Sequence, residues 1–351
     1  MFAQVHKPEI LSGEALDQYL RDGWFRNGQR IFTTNFLNFN SQLYSAIWLR
    51  IKLNELKEDK TFKKLSKLNT IFDITIQPAS ITEEKEALFQ EYRSGMRFTA
   101  SQSLQNLLFG DSTFDIFNTF EVLLHDKNVL IGVGYFDIGN TSAAGIISFY
   151  DLAYKKYSLG KYLILLKLNY CQKIQLDFFY PGYFAPDYPA FDYKLTLRKD
   201  NLSFLQLSTQ TWLPIDSFGP TNDPYKIMIE KLQEMLKLLV QNGVRCKLYH
   251  YTFFEANIIP NLVGLNLFDF PVFLTCFDEI EDVVNPMIVY DVANQCFHLV
   301  ACKSVWKADN IVEEGFYSAH LLKVKRNIYS TLIAEEMAKI ISQVTIEKTN
   351  L

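Results

Sequence analysis

The chain has 351 residues, 48% hydrophobic and 21% charged, with 29 Phe and 19 Tyr: material for about two packed domains, and too apolar to stay disordered. Its net charge of −4 excludes a wholly basic nucleic-acid coat but not a local basic patch. With no apolar run of about 20 residues, no apolar leader in residues 1–10 and five scattered cysteines, it predicts neither a membrane span nor a secreted disulfide framework, and the cytoplasm is its expected location.

Residues 12–22 predict a short helix closed by Gly23. Residues 30–39 and 46–53 are strand-like. From Arg50 to Lys67, Arg50, Lys52, Lys57, Lys60, Lys63, Lys64 and Lys67 outnumber Glu55, Glu58 and Asp59. This basic stretch reads first as a solvated linker or helix face, and second as a phosphate-contact surface. Residues 72–77 alternate as a strand does, and Pro78 and Ser80 break it. Thr82 then caps a helix with Glu83 and Glu84 in its first turn and Leu88, Phe89 and Tyr92 as its apolar stripe. Residues 119–124, 129–136 and 143–150 predict three neighbouring strands, joined by turns at 125–128 and 139–140. Ser158-Leu159-Gly160 leads into a helix over 161–172, followed by a strand over 176–180 ending at Pro181-Gly182. After Trp212-Leu213-Pro214, Asp223-Pro224 opens a long helix with Met228, Leu232, Met235, Leu236 and Leu239 on one face, closed by Gly243. Strands are expected at 245–254, 272–276, 287–291 and 296–302, and a last helix at 329–342.

Two clusters invite a metal. Cys296, His298 and Cys302 fall at even spacing on one strand, but need a fourth ligand such as Cys246 or His250; a half-buried hairpin is the preferred reading. Asp278, Glu279, Glu281 and Asp282 lack the spacing of a cation loop and read as a solvated turn. No metal ligand set is predicted.

The order of the motifs resembles that of the aminoacyl-tRNA–protein transferases of the arginyl and leucyl types. Ile131-Gly132-Val133-Gly134-Tyr135-Phe136-Asp137 resembles that family's apolar strand ending in Asp. Tyr150-Asp151 resembles the Tyr-Asp-Pro that follows, with Leu152 in place of proline. Ser158-Leu159-Gly160 matches its helix start, Tyr193-Lys194 its Tyr-Lys pair, and Trp212-Leu213-Pro214 its Trp-x-Pro tail. Upstream, Asp22-Gly23-Trp24-Phe25-Arg26-Asn27-Gly28 resembles its Gly-Trp segment, and residues 64–73 its basic segment ahead of a strand. The resemblance spans residues 10–216. It departs in one respect above all: the family's cysteine cluster after the Gly-Trp segment, which would ligate a metal or iron–sulfur centre, is missing, since residues 32–49 hold no cysteine.

The resemblance implies an α/β (α+β) fold: an acetyltransferase-like mixed sheet flanked by helices, with an accessory C-terminal segment. It divides the chain into an N-terminal family region (1–80), a catalytic domain (81–216) and an accessory α/β segment (217–351). It implies transfer of Arg or Leu from aminoacyl-tRNA to the N-terminal amino group of acceptor proteins that begin with Asp or Glu, with no cofactor. The ester is already activated, so the protein must align two reactants, let an ammonium lose its proton and stabilise an oxyanion. Asp151, Tyr193 and Lys194 are the candidate catalytic residues. Asp151 either receives the ammonium or caps a turn; Lys194 meets phosphate or the oxyanion; Tyr193 stacks on adenine or donates a hydrogen bond. Candidate substrate-binding residues are Tyr150, Ser158, Leu159, Gly160 and Asp137, with Arg26, Arg30, Lys63 and Lys64 for the tRNA backbone. The rival expectation is a non-catalytic member that binds protein N-termini or tRNA as an adaptor, favoured by the missing cysteines and the altered motifs. An ordinary acyl-CoA acetyltransferase ranks last, because only Ser158-Leu159-Gly160 stands where a Gly-rich pyrophosphate loop would be.

Overall fold

The computed structural model describes residues 1–56, 60–95, 101–276, 285–307, 315–317 and 320–349. In chain order the elements are β1 (Ala3–His6), α1 (Gly13–Arg21), β2 (Phe25–Arg26), β3 (Ile31–Thr34), β4 (Phe36–Phe39), β5 (Gln42–Ser45), β6 (Ile47–Lys52), α2 (Lys60–Leu68), β7 (Asp73–Pro78), α3 (Glu83–Ser94), α4 (Leu104–Phe109), β8 (Thr119–Asp126), β9 (Val129–Ile138), β10 (Ser142–Tyr150), α5 (Leu159–Lys173), β11 (Phe178–Phe184), β12 (Leu202–Gln206), β13 (Thr211–Pro214), α6 (Pro224–Gln241), β14 (Lys247–Tyr251), β15 (Val272–Thr275), β16 (Asn285–Asp291), β17 (Cys296–Lys307), β18 (Phe316–Tyr317), β19 (His320–Thr331) and α7 (Ala334–Thr349).

Local chemistry sets many of the ends. Ser12, Thr82 and Asp223 each accept a hydrogen bond from the amide three residues on, satisfying a donor that the helix itself leaves free. Lys127 and Asn128 take φ of 49° and 72°, the backbone that a tight hairpin turn between β8 and β9 demands.

The main sheet runs β13-β12-β6-β11-β10-β9-β8-β7. β7 to β10 form an antiparallel meander. α5 then crosses over, and β11 returns parallel to β10. This meander, helix and parallel strand make up the mixed, acetyltransferase-like α/β arrangement. β6 enters from the N-terminal part of the chain and lies between β11 and β12. Successive residues of β8 face opposite ways. Val122 and Leu124 pack with Leu159, Leu163 and Leu166 of α5, whereas Leu123 packs with Phe89 of α3 and Leu108 of α4. A second sheet, β18-β14-β15-β16-β17-β19, is covered by α6 and α7. Phe2, Phe36 and Leu43 join that second core, where the Phe2 ring meets those of Phe36 and Phe270.

Three expectations change. β11 does not stop at Pro181-Gly182. Pro181 has no N–H and Gly182 takes φ of 84°, and a register shift between Phe179 and Gly182 absorbs both as a bulge while the strand continues to Phe184. β19 was not anticipated, and Tyr329 belongs to it rather than to the last helix, because pairing with β17 overrides the local pattern. Asn35 interrupts the single strand expected over 30–39, leaving β3 and β4 in different sheets. Lys57, Glu58 and Asp59 of the basic stretch, and the acidic cluster Asp278, Glu279, Glu281 and Asp282, lie outside the described residues. Among the described residues no helix is long and apolar enough to cross a membrane.

Candidate functional site

β10 and β11 part company early. Ser142, Ala143 and Ala144 pair with Phe178, Phe179 and Tyr180, and there the pairing ends. Beyond it β10 stays with β9 as far as Tyr150, and β11 stays with β6 through Gly182, Tyr183 and Phe184. A bulge between Gly145 and Ile147 begins the split. Gly145 suits the vertex, since a Cβ there would lie 3.1 Å from the Phe179 ring. The result is a V whose two inner strand edges no longer pair with each other beyond Ala144 and Tyr180.

One wall of the V is the end of β10 and the start of α5. Asp151 Oδ1 accepts from the Ala153 amide at 2.8 Å, so this carboxylate caps the 3-10 turn Leu152–Tyr157. Ser158 adopts the left-handed region at φ 54°, and its side chain does not cap α5. At this positive end of the helix Leu159 is fully buried, while Gly160 and Lys161 are half-buried and their amides have no cap from Ser158. Tyr150 lies over Gly160, where an added Cβ would stand 3.0 Å from the ring, and its ring centroid is 5.4 Å from that of Tyr92 at the end of α3.

The other wall is the 3-10 segment Pro189–Thr196 that follows β11. Tyr193 is 47% exposed on it. Lys194 turns inward: its Nζ donates to the Tyr183 carbonyl at 2.6 Å and sits 5.4 and 5.0 Å from the ring centroids of Tyr183 and Phe191. Burial without a carboxylate partner pulls its amine down to about 7. Lys161 Nζ reaches Thr196 Oγ1 at 3.4 Å and so joins the two walls. Tyr150 and Gly160 thus meet on one wall and Tyr193 and Lys194 sit on the other, whereas Asp151 is engaged in its own turn and Leu159 is buried in the core under α5.

Lys167 supports the opening from behind. It is 2% exposed, and its Nζ donates to the carbonyls of Tyr135 and Ile147, each at 3.2 Å, and to Ser148 Oγ at 3.0 Å. Burial lowers it, too, to about 7. The sequence reading missed it, although a lysine among Leu163, Leu165, Leu166 and Leu168 was the signal.

Other expected residues lie elsewhere. Asp137 pairs with Ala144, while Tyr150 pairs with Gly132, so Asp137 stands at the opposite end of β9 and β10. It binds Arg26 at 2.8 Å, with the two side chains 1% and 5% exposed. Arg26 also donates to Thr119 Oγ1 and to the carbonyls of Gly28 and Leu108, and lies over the Phe117 ring. Its donors are spent inside the core, not on a tRNA surface as expected. Arg30 forms a two-pronged pair with Asp111 at 2.9 and 2.8 Å. Lys63 and Lys64 are exposed on α2. That helix packs against α5 through Phe62 and Tyr162, and Asn69 Nδ2 donates to the Tyr157 carbonyl at 3.2 Å. With Lys155 and Lys156, also exposed, these lysines flank the start of α5.

The family's cysteine-ligated centre has no counterpart here. The stretch that would supply thiolates instead packs Leu37, Phe39 and Tyr44 against Tyr183, Tyr188 and Phe191, and offers no ligand for such a group. Cys296 Sγ contacts the carbonyls of Phe297 and Thr331, His298 Nδ1 pairs with Ser330 Oγ at 2.7 Å, and Cys302 is buried. Among the described residues no group of three or more His, Cys, Asp or Glu is arranged to hold a metal ion.

Residues 84–203 match the family described as arginine-tRNA-protein transferase, C terminus. The chain is 28% identical over 217 residues to an aspartate/glutamate leucyltransferase of Leptospira interrogans, covering 60% of this chain and 82% of the relative. It is 27% identical over 184 residues to the enzyme of that name from Helicobacter hepaticus, covering 50% and 73%. For the one from Pseudomonas fluorescens the figures are 25% over 202 residues, 55% and 80%. Among solved structures, FemX superposes with a TM-score of 0.32 at 8% identity, covering 55% of this chain and 68% of that one. A GCN5-related N-acetyltransferase from Anabaena variabilis gives 0.29 at 11% identity, covering 58% and 43%. These scores are too low to bear on the assignment.

Proposed function

We infer the reaction from membership and site together: this chain belongs to the aminoacyl-tRNA–protein transferase family, and we propose that it moves leucine or arginine from aminoacyl-tRNA onto the amino group of acceptor proteins that begin with Asp or Glu. The observation that carries this reading is the V itself, with a low-pKa lysine on one wall and uncapped helix amides on the other.

The tRNA 3′ end enters beside α5. The amides of Gly160 and Lys161, in the half-buried first turn of α5, hold its terminal phosphate, as helix N-termini do for anions. The lysines of α2 and of the Leu152–Tyr157 turn draw in the strand behind it. Tyr150, Tyr92 and Tyr193 offer faces on which the terminal adenine stacks. The acceptor's ammonium, with an ordinary pKa of about 8, must lose a proton before its nitrogen can attack. Asp151 orients it. Lys194, held near 7, takes that proton at a cost of about 1.4 kcal/mol per unit of pKa mismatch. The neutral amine of Lys194 still donates to the Tyr183 carbonyl, and its lone pair is free to accept. The acceptor nitrogen then bonds to the ester carbon, the carbon–oxygen ester bond breaks, and the tRNA 3′ oxygen leaves with a proton. Lys194, now charged in a low-dielectric wall, stabilises the oxyanion on the way.

The test is transfer of radiolabelled Leu or Arg from charged tRNA to peptides beginning with Asp or Glu, using wild type, Asp151→Asn and Lys194→Met. Asp151→Asn keeps an oxygen to cap Ala153 and removes only the charge. Incorporation by wild type that falls in both variants supports the transferase. Tight tRNA binding with no incorporation of either amino acid moves the reading to an adaptor, which the missing cysteines would favour.

A further inference from the structure

We propose that the β17–β19 ribbon of the second sheet is an RNA-contacting surface that grips the body of the tRNA whose 3′ end enters the V; the proposal rests on the donor named above. β17 and β19 each run for 12 residues and pair from Phe297 with Thr331 out to Lys307 with His320. Among the described residues β16 pairs with β17 as far as Asn285 and Cys302. Beyond that pair β19 stays packed on the second core: Leu322 is buried, its amide donates to Tyr251 Oη and its carbonyl accepts from the Phe268 amide, and Lys323 bridges Leu267.

The charge lies from the Ala301–Arg326 pair outward: that stretch carries Lys303, Lys307, Lys323, Lys325 and Arg326, and neither strand contains Asp or Glu. Among the described residues none of the five forms an ion pair. Lys303 stands directly opposite Lys323, an arrangement that destabilises an isolated sheet and is relieved by a polyanion laid across it.

Shape and aromatics point the same way. Register shifts at Leu299/Val300, Ala301/Cys302 and Ser304/Trp306 add twist, and the second of them leaves Lys325 without a partner across the ribbon. Among the cations, Trp306 is 55% exposed and Val305 48% exposed. Cations beside an exposed indole fit phosphates and unstacked bases together, the pairing of features by which proteins hold single-stranded or looped RNA. An acidic peptide would satisfy the cations and leave the indole unused.

The experiment measures binding of uncharged full-length tRNA, and of a minihelix that ends in the same acceptor strand, to full-length wild type, to Lys303→Ala/Lys323→Ala/Lys325→Ala and to Trp306→Ala, at several salt concentrations. Lys303, Lys325 and Trp306 are exposed and Lys323 is half-buried, and circular dichroism checks that each variant is folded. The triple variant is expected to bind tRNA about 10-fold more weakly, with its log–log salt slope reduced by about two. Trp306→Ala is expected to weaken tRNA binding about 5-fold or more. Minihelix binding stays at the wild-type level in both. Full tRNA affinity in both ribbon variants would overturn the surface and leave the donor assignment standing. A triple variant that keeps tRNA but loses an acidic acceptor peptide would make the ribbon a peptide surface, and overturn the RNA proposal. Failure of wild type to bind either RNA would overturn the donor assignment and the ribbon with it.

Discussion

Arg26→Met separates a core role for this residue from a tRNA-contact role. In the structure the guanidinium bonds Asp137 Oδ1 at 2.8 Å and Thr119 Oγ1 at 2.7 Å, and lies 4.3 Å from the Phe117 ring centroid. Removing it strands a carboxylate that is 1% exposed and whose Oδ2 already lacks a partner. Breaking a buried pair from one side costs about 3–5 kcal/mol. Removing both charges, in Arg26→Met/Asp137→Leu, is expected to restore more than half of that loss, because the penalty comes from the orphaned charge rather than from the absent attraction. The pH dependence has a definite sign. Burial pushes Asp137 above the ordinary carboxylate range and Arg26 pulls it back. Without Arg26 the carboxyl rises further. A carboxyl raised on folding destabilises at pH above its folded pKa and not below its unfolded one. The variant's deficit is therefore smaller at pH 5 than at pH 8. Urea unfolding at both pH values, read beside tRNA binding, decides the matter. A deficit under about 1 kcal/mol, together with a tenfold loss of tRNA affinity in the folded variant, would refute the core assignment.

Three further outcomes are expected. If neutral Lys194 is the proton acceptor, wild-type kcat/KM falls as pH drops below about 7, whereas Lys194→Met is about 100-fold slower and has lost that limb; a pH–rate profile of peptide leucylation or arginylation reads both. Lys167 is lowered to about 7 by burial, so folding disfavours its charged form, and the linked stability rises as pH climbs from about 7 towards 10. Relative to Lys167→Met, wild type should therefore gain a few kcal/mol between pH 7 and pH 10, and equal pH dependence of the two unfolding free energies would contradict the burial argument. Gly160→Ala puts a methyl 3.0 Å from the Tyr150 ring, which must shift; KM for aminoacyl-tRNA should rise several-fold while the thermal midpoint barely moves.

The local parts of the fold were legible wherever a residue's own chemistry chose its conformation. Ser12, Thr82 and Asp223 announced helix starts because their side chains bond the amide three residues on, and Lys127-Asn128 announced a turn. β19 and the continuation of β11 through Pro181-Gly182 were not legible, because each is held by a partner strand distant in sequence. The same division runs through the site. Tyr150, Gly160, Tyr193 and Lys194 on the two walls of the V came from motif order. Tyr92, Lys161 and Lys167 joined them only through contacts made in three dimensions.

By itself the sequence determined the class of elements, their approximate order and the run of motifs, since hydrophobic period, caps and turn residues act over a few positions along the chain. Burial and partners were decided by the tertiary structure alone. Arg26 and Lys194 are both cations beside recognisable motifs, and nothing in their neighbours along the chain distinguishes them. The fold gives Arg26 a carboxylate at 2.8 Å and makes it part of the core, and surrounds Lys194 with a carbonyl and two rings, where burial lowers its pKa. A side chain's charge state depends on the dielectric and the counter-charges around it, and those arrive from segments that the local sequence does not specify.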